Sequence, residues 1–167
     1  MTISMYDSLV PTINRVLKNL SLILDKGAAL AEKKQIDGTV LTGSRLAPDM
    51  FPLSRQVQIA CDIAKGAAAR LSGTEIPKFE DTETTFPELK ARIDKTLQFV
   101  NGIAADTFKD SEKRDIVLTN RRGDLKFTGL GYLNEFVLPN VYFHATAAYA
   151  ILRHNGVEIG KTDFLGF

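Results

Sequence analysis

The first third of the chain carries the pattern that most constrains how it can fold. Its aliphatic residues recur at spacings of three and four, which places them on one face of an α-helix. This stripe consists of Ile13, Val16, Leu17, Leu20, Ile23 and Leu24. Lys18 and Asp25 fall off the stripe. The pattern predicts a long amphipathic helix over about residues 4–34 that Pro11 either begins or kinks, because proline lacks the N–H of an interior position.

Two further helices are predicted before residue 102. The second starts near Pro52, a residue suited to a first helical turn, and ends at Ser72-Gly73. Its apolar face is rich in alanine, which allows a partner helix to approach closely. That face consists of Leu53, Val57, Ala60, Cys61, Ala64, Ala68 and Leu71. The third helix begins with a capping box, in which Thr85 is the N-cap and Glu88 follows three residues later.

The pattern changes between residues 114 and 129. Short apolar runs flank a turn-forming segment at residues 120–124, and Gly123 there is able to adopt a positive φ, which is typical of a β-hairpin. A last helix is predicted over about residues 131–155, kinked or divided by Pro139 and ended by Gly156. Four such helices bury their apolar faces most simply as a four-helix bundle. The predicted fold is mainly α, with a small hairpin between the third and fourth helices.

Length and composition limit the classes of protein to which this chain can belong. The 167 residues fit a single domain spanning residues 1–167. With 21 basic and 20 acidic residues the net charge is +1, so we expect no nucleic-acid partner. We see no signal peptide and no membrane-spanning stretch, and we therefore expect a cytoplasmic protein without membrane contact. Cys61, the sole cysteine, excludes an internal disulfide and is expected to be buried as a small apolar residue.

Both histidines of the chain lie on the last predicted helix. His144 and His154 are ten residues apart, a rise of about 15 Å, so they cannot bind the same ion within one chain. His144 shares a face with Val141 and Ala148. We expect it to be half-buried and hydrogen-bonded, with a ligand-facing or metal-binding role as the alternative. His154 occupies the last turn, where its charge favours the helix dipole.

Other polar residues are candidates for a ligand site. Gln56 points either into the bundle, as a polar group in a pocket, or into solvent. Asp49 precedes the second helix and favours its N-terminus. The predicted ligand-binding candidates are His144, Gln56, Asp49, Asp62 and Tyr149. Arg121 and Arg122 at the hairpin tip either hold an anion or form an exposed turn. We find no phosphate loop, Ser-His-Asp pattern or zinc-type spacing.

Several segments together resemble a bacterial and fungal family of unknown function. The matching segments are residues 45–50 (RLAPDM), 56–60 (QVQIA), 79–82 (FEDT), 142–144 (YFH), 148–149 (AY), 152–157 (LRHNGV), 160–161 (GK) and 163–166 (DFLG). The resemblance covers nearly the whole chain. This family belongs to the DinB/YfiT-like superfamily of four-helix bundles, which implies that fold and often a homodimer.

Many members of that superfamily hold a divalent metal with three histidines, one from the second helix and two from an H-x-x-x-H pair on the last. Some of these members are thiol-dependent transferases. His144 matches the first histidine of the pair, but position 148 is Ala148, and no histidine precedes His144. We therefore predict no bound metal and no cofactor.

Three functions are compatible with these features. The first is a metal-free bundle that binds a small ligand, or performs acid–base chemistry, near His144. The second is a degenerate metal-dependent enzyme that uses His144 with carboxylates such as Asp49, Asp62 or Glu135. The third is a dimeric interaction module without catalysis. A homodimer would form through apolar residues left outside the buried stripes, for example Ile59, Ile63 and Phe143.

The last twelve residues are too apolar for a free tail. Val157 and Ile159 alternate with polar residues, and Gly160 permits a turn. We predict that this tail folds back along the bundle and buries Phe164 and Leu165. Asp163 or Lys161 would then lie near the helix end that carries His154.

Overall fold

A computed structural model describes residues 3–120 and 123–167. The first helix, α1, spans Met5–Lys34. The Ser4 hydroxyl caps it by accepting a hydrogen bond from the backbone N–H of Asp7, and Gln35 ends it in the left-handed conformation with φ 55°. The predicted long helix is therefore confirmed. Pro11 lies inside α1 and not at its start.

The next helices follow the predicted bounds closely, with one addition. A short helix, α2 (Gly38–Thr42), is capped by Asp37 and was not predicted, because five residues are too few for a periodic pattern. Helix α3 spans Leu53–Ser72 and ends at Gly73, whose φ is 79°. Helix α4 spans Phe86–Gly102. The capping box of Thr85 and Glu88 is present at its start, as predicted.

The segment after α4 forms the predicted hairpin. Two 3-10 turns, Ala105–Phe108 and Ser111–Lys113, lead into strands β1 (Asp115–Asn120) and β2 (Gly123–Thr128). The strands are antiparallel, and Ile116, which is buried, pairs with Phe127. Gly123 has a φ of 115°, which explains the glycine at that position. Arg121 and Arg122, for which the sequence left either an anion site or an exposed turn, lie outside the described residues.

The last predicted helix is divided near Pro139. Helix α5 (Gly129–Gly131) leads into a π-helical turn, Tyr132–Val137, and then into α6 (Leu138–His154). The π-helical turn ends two residues before Pro139, which cannot donate the hydrogen bond required inside a regular helix. Gly156 follows α6 with a φ of 94°.

The core lies between α1, α3, α4 and α6, so the predicted four-helix bundle is confirmed. Helix α3 packs against α4 and α6, and α1 packs against the same two helices. The alanine-rich face of α3 is fully buried, and the aliphatic stripe of α1 from Ile13 to Leu24 is buried as well. None of the helices in the described part of the chain is long and apolar enough to cross a membrane.

The C-terminal tail folds back as predicted, but it buries different residues. Its last helix, α7 (Lys161–Leu165), packs on α1, and Asp163 forms an ion pair with Lys26 at 2.5 Å. Val157 and Ile159 are buried, whereas Phe164 and Leu165 are only half-buried. The prediction of burial for Phe164 and Leu165 is therefore wrong in degree. Helix α7 lies on the outside of the bundle against α1, and its residues Lys161 and Thr162 are exposed.

Candidate ligand-binding site

The interface between α3 and α6 contains a polar contact inside the bundle. Gln56, in the first turn of α3, is 2% exposed, and His144, in the second turn of α6, is half-buried. The Nδ1 atom of His144 lies 2.7 Å from the Oε1 atom of Gln56. Burial of a glutamine is unusual unless its amide is hydrogen-bonded, and this pair meets that requirement.

A second hydrogen bond fixes the orientation of the Gln56 amide. Its Nε2 donates to the backbone carbonyl oxygen of Phe51 at 3.1 Å. A carbonyl oxygen only accepts, so the amide nitrogen must face Phe51 and the amide oxygen must face His144. His144 therefore carries its proton on Nδ1. In the neutral imidazole, the other ring nitrogen, Nε2, then holds a lone pair.

The surroundings of His144 favour the neutral form. Burial lowers the pKa of His144, and the positive charge of Arg55 lowers that pKa further. Arg55 precedes Gln56 in α3, so both the hydrogen bond and the charge come from the same turn of one helix. At neutral pH the Nε2 atom of His144 is therefore a hydrogen-bond acceptor and a weak base.

An apolar groove lies next to His144 on α6. It has a volume of about 390 Å³ and is lined by Leu46, Met50, Tyr142, Phe143, Thr146, Ala147 and Ala150. At about 100° per residue, His144 lies about 60° around α6 from Ala147, between the groove and the core. The ring of Phe143 packs edge-on against the imidazole, with 5.2 Å between ring centroids.

The other predicted site residues lie elsewhere. Asp49 is exposed in the turn before α3. Asp62 accepts from Arg92 and Lys65, both at 2.8 Å, and so belongs to an ion cluster between α3 and α4. Tyr149 donates a weak hydrogen bond of 3.5 Å to the carbonyl oxygen of Ile159, and its ring packs against Phe164 of the tail. Of the five candidates, the structure brings only His144 and Gln56 together.

The residues around His144 do not fit the three-histidine metal site of the superfamily. Ala148, one turn after His144, has no ligand atom, and the Nδ1 of His144 is occupied by Gln56. Glu135 is exposed in the π-helical turn. Within residues 3–120 and 123–167, no three His, Cys, Asp or Glu side chains lie close enough to share an ion.

Cys61 is a core residue, as predicted. Its side chain is fully buried, and burial raises the pKa of the thiol to about 12, although a hydrogen bond from Thr96 opposes this. Lys65, one turn later on α3, forms an ion pair with Asp62. A thiol with this pKa stays protonated at neutral pH and is a poor nucleophile.

Sequence reasoning missed the residue at the centre of the ion cluster, Arg92. Its side chain is 1% exposed and contacts carboxylates of Asp62, Asp81 and Glu83. A signal was present, because Arg92 follows Leu89 by three residues and therefore lies on the apolar stripe of α4. A charged residue at such a position is rarely buried unless it is paired.

Comparison with known proteins places this chain in a family. No curated protein matches it. A crystal structure of a DinB family member protein from Shewanella denitrificans is 47% identical in sequence and superposes with a TM-score of 0.91, covering 98% of this chain and 92% of that one. This agrees with the resemblance to the DinB-like bundles. Residues 5–165 match the family model described as a domain of unknown function (DUF1993), and the chain belongs to that family.

Proposed function

We propose that this protein binds a small ligand, without a metal, at a site formed by His144, Gln56 and the neighbouring groove on α6. The observation that carries the proposal is the pair of hydrogen bonds made by the Gln56 amide. Its nitrogen donates to the carbonyl oxygen of Phe51, and its oxygen accepts from Nδ1 of His144. They hold the imidazole in one tautomer and leave Nε2 as an acceptor. A side chain held in this way, with a perturbed pKa, is typical of binding and catalytic sites.

The chemistry of the site favours a ligand with two parts. A hydroxyl, amide or ammonium group would donate a hydrogen bond to Nε2 of His144. The apolar remainder would occupy the groove lined by Tyr142, Phe143 and Ala147. The same nitrogen is suited to accept a proton as a general base if the ligand is a substrate.

A ligand screen with matched histidine variants tests the proposal. Small molecules that carry a hydrogen-bond donor and an apolar group would be screened by ligand-observed NMR. Binding should be lost in His144→Gln and retained in His154→Gln, because His154 is exposed at the far end of α6. Gln56→Leu should weaken binding by releasing the imidazole. Hits that bind all three variants equally would contradict the proposal.

The exposed apolar residues of the groove favour a second candidate, a dimeric interaction module. Phe143 is 58% exposed, and Tyr142 and Leu46 are each more than 40% exposed beside it. Clustered apolar residues at a surface often mark an interface. Of the residues predicted for the homodimer, Phe143 best supports it, because Ile59 and Ile63 are half-buried and Ile63 packs against the core.

Analytical sedimentation tests whether the chain forms this dimer. A homodimer would sediment at about twice the 18.4 kDa of the chain. Phe143→Ser should shift the equilibrium to the monomer, whereas Leu22→Ser, which changes an exposed leucine on α1, should not. A monomer at all concentrations would contradict the dimeric interaction module.

We also propose that the protein works without a transition metal. This proposal opposes the alternative of a degenerate metal-dependent enzyme. Ala148 and the pairing of Asp62 with Arg92 and Lys65 support this. Elemental analysis of protein purified without a nickel column should find well under one metal ion per chain. A stoichiometric amount of zinc, nickel or iron would contradict it.

We propose a cytoplasmic location and no nucleic-acid partner. The near-neutral charge of the chain supports the lack of a nucleic-acid partner. The free thiol of Cys61 supports the location, because free cysteines are typical of reducing compartments. Cell fractionation should recover the protein in the cytosolic fraction, and recovery in the membrane pellet would contradict it.

A further inference from the structure

The segment between α3 and α4, residues 74–85, contains no helix or strand, and its acidic side chains pair with arginines of both helices. Arg92 of α4 lies beneath it. The Nη1 atom of Arg92 donates to the carboxylate of Glu83 at 3.0 and 3.1 Å and to the carbonyl oxygen of Glu80 at 2.9 Å. Its Nη2 atom donates to Asp81 at 2.9 Å and to Asp62 at 2.8 Å.

Asp81 is held between two arginines from different helices. Its Oδ1 accepts from Arg92 of α4, and its Oδ2 accepts from Nη1 of Arg55 of α3. Arg55 is oriented by a second acceptor, the Oε1 atom of Gln58, at 3.2 Å. Two guanidinium groups that face the two oxygens of one carboxylate make a receptor that recognises carboxylates and phosphates by geometry.

This carboxylate is open to solvent, unlike the arginine beneath it. The side chain of Asp81 is 39% exposed and that of Arg55 is 36% exposed, whereas that of Arg92 is 1% exposed. Glu83, the other carboxylate of the segment, is 16% exposed and also bonds to Gln58. Asp62, the third carboxylate of the cluster, is 34% exposed but lies on α3 and also pairs with Lys65. Asp81 is the most exposed of the three carboxylates and lies in a segment without helix or strand, so an external ligand can replace it with the least rearrangement.

The charges that surround Asp81 leave a positive site when its carboxylate is removed. The cations are Arg55, Arg92 and Lys65, and the remaining anions are Asp62 and Glu83. The ammonium groups of Lys65 and Lys95 also lie 4.1 and 4.2 Å from the ring centroid of Phe79, in the same segment. Burial raises the pKa of Asp81, but the hydrogen bond and charge of Arg55, with the charge of Arg92, hold it below its usual value.

We propose that Arg55 and Arg92 form an oxyanion-binding site and that Asp81 is its internal occupant. A carboxylate or phosphate group of a small ligand displaces Asp81 and takes its place between the two guanidinium groups. This site lies between α3 and α4, apart from the groove on α6, and it does not depend on the function proposed for His144. Because Asp81 competes from within the chain, at an effective concentration of about millimolar or more, the external anion binds more weakly to the wild type than to a variant without this carboxylate.

Chemical rescue tests the site. Asp81→Ala should lower the melting temperature, and acetate or inorganic phosphate should restore it more than chloride at the same ionic strength. Arg55→Gln in the Asp81→Ala background should abolish the difference between these anions and chloride. The control is Asp25→Ala, which removes an exposed carboxylate that pairs with Lys90. If Asp81→Ala is too unstable to melt cooperatively, Asp81→Asn is used in its place.

Binding to the wild type completes the test. The Arg55 Nε–H signal, followed by NMR during titration with each anion, should shift and saturate in the wild type. The affinity should be about tenfold or more weaker than in the Asp81 variant. Rescue by acetate would indicate a carboxylate ligand, and rescue by phosphate alone a phosphate ligand. Equal effects of all anions on Asp81→Ala and Asp25→Ala, or no saturable shift in the wild type, would overturn the proposal.

Discussion

Single residues determine the electrostatics of the site at His144. Gln56 holds the imidazole by a hydrogen bond, and Arg55, the preceding residue, acts on it by charge. Adjacent positions of one helix turn thus perform different tasks, because their side chains leave the helix about 100° apart. Arg55 also pairs with Asp81, so it lies between the two candidate sites.

Removing the charge of Arg55 should raise the pKa of His144. Burial is the larger cause of the lowered pKa and remains in Arg55→Gln, so the pKa should move only part of the way toward its usual value. An NMR titration of the imidazole measures this. Arg153→Gln, a charge change in the last turn of α6, should leave the titration unchanged. A pKa that falls or stays constant in Arg55→Gln would contradict the assignment.

Gly129 is required by close packing. A Cβ atom at this position would lie 1.8 Å from the backbone carbonyl oxygen of Ser111, so a side chain forces the two segments apart. Gly129→Ala should reduce the free energy of unfolding by about 1–3 kcal/mol or more. Gly102→Ala is the matched control, because its Cβ atom would meet nothing within 4 Å. Denaturant titration of both variants measures the difference, and equal midpoints would show that the backbone adjusts freely.

Among the elements, α4 depends most clearly on a local signal. The Thr85 hydroxyl accepts from the N–H of Glu88, and the Glu88 carboxylate accepts from the N–H of Thr85 at 2.9 Å. Thr85→Ala should cost about 1 kcal/mol of unfolding free energy in a denaturant titration. A loss smaller than the experimental error would mean that the cap does not stabilise the fold.

The same cap should make the fold sensitive to acid. Hydrogen bonds from the backbone N–H groups of Thr84 and Thr85, with that from the Thr85 hydroxyl, lower the pKa of Glu88 to about 2 from 4.5. A lowered carboxylate pKa stabilises the folded state above the unfolded value, and this contribution is lost as the pH falls from about 4.5 to about 2. Glu88→Gln should show a shallower loss of stability in this range. An unchanged pH profile would contradict the pKa assignment.

At the scale of the whole molecule, the C-terminal tail joins elements that are distant in sequence. Val157 and Ile159 are buried in the core, Asp163 pairs with Lys26, and Asn19 donates to the carbonyl oxygen of Phe164 at 3.0 Å. Deletion of residues 157–167 should therefore lower the melting temperature. Each of the two buried aliphatic side chains contributes roughly 1.5–3 kcal/mol before ordering costs. The same melting temperature and oligomeric state in the truncated protein would mean that the tail does not stabilise the bundle.

The elements that could be predicted from sequence are those with local signals. The stripe of α1, the alanine-rich face of α3, the capping box at Thr85 and the glycine of the hairpin each depend on residues a few positions apart. Spacing and capping preferences act over one or two turns, so they are readable along the chain. The bundle then follows, because four amphipathic helices must bury their apolar faces together.

The candidate sites depend on contacts across the fold. His144 and Gln56 are 88 positions apart, and Arg92 reaches Asp62 across 30. From the sequence, each of these polar side chains could equally have pointed into solvent. Local spacing does not show which partner neutralises a buried charge or accepts a buried proton. Asp62 illustrates this, since the sequence marked it as polar but its pairing with Arg92 and Lys65 follows only from how α3 packs against α4. Local patterns therefore determine which segments form helices and which faces they bury. Long-range packing decides which polar groups meet, because hydrogen bonds and ion pairs require atoms within about 3 Å.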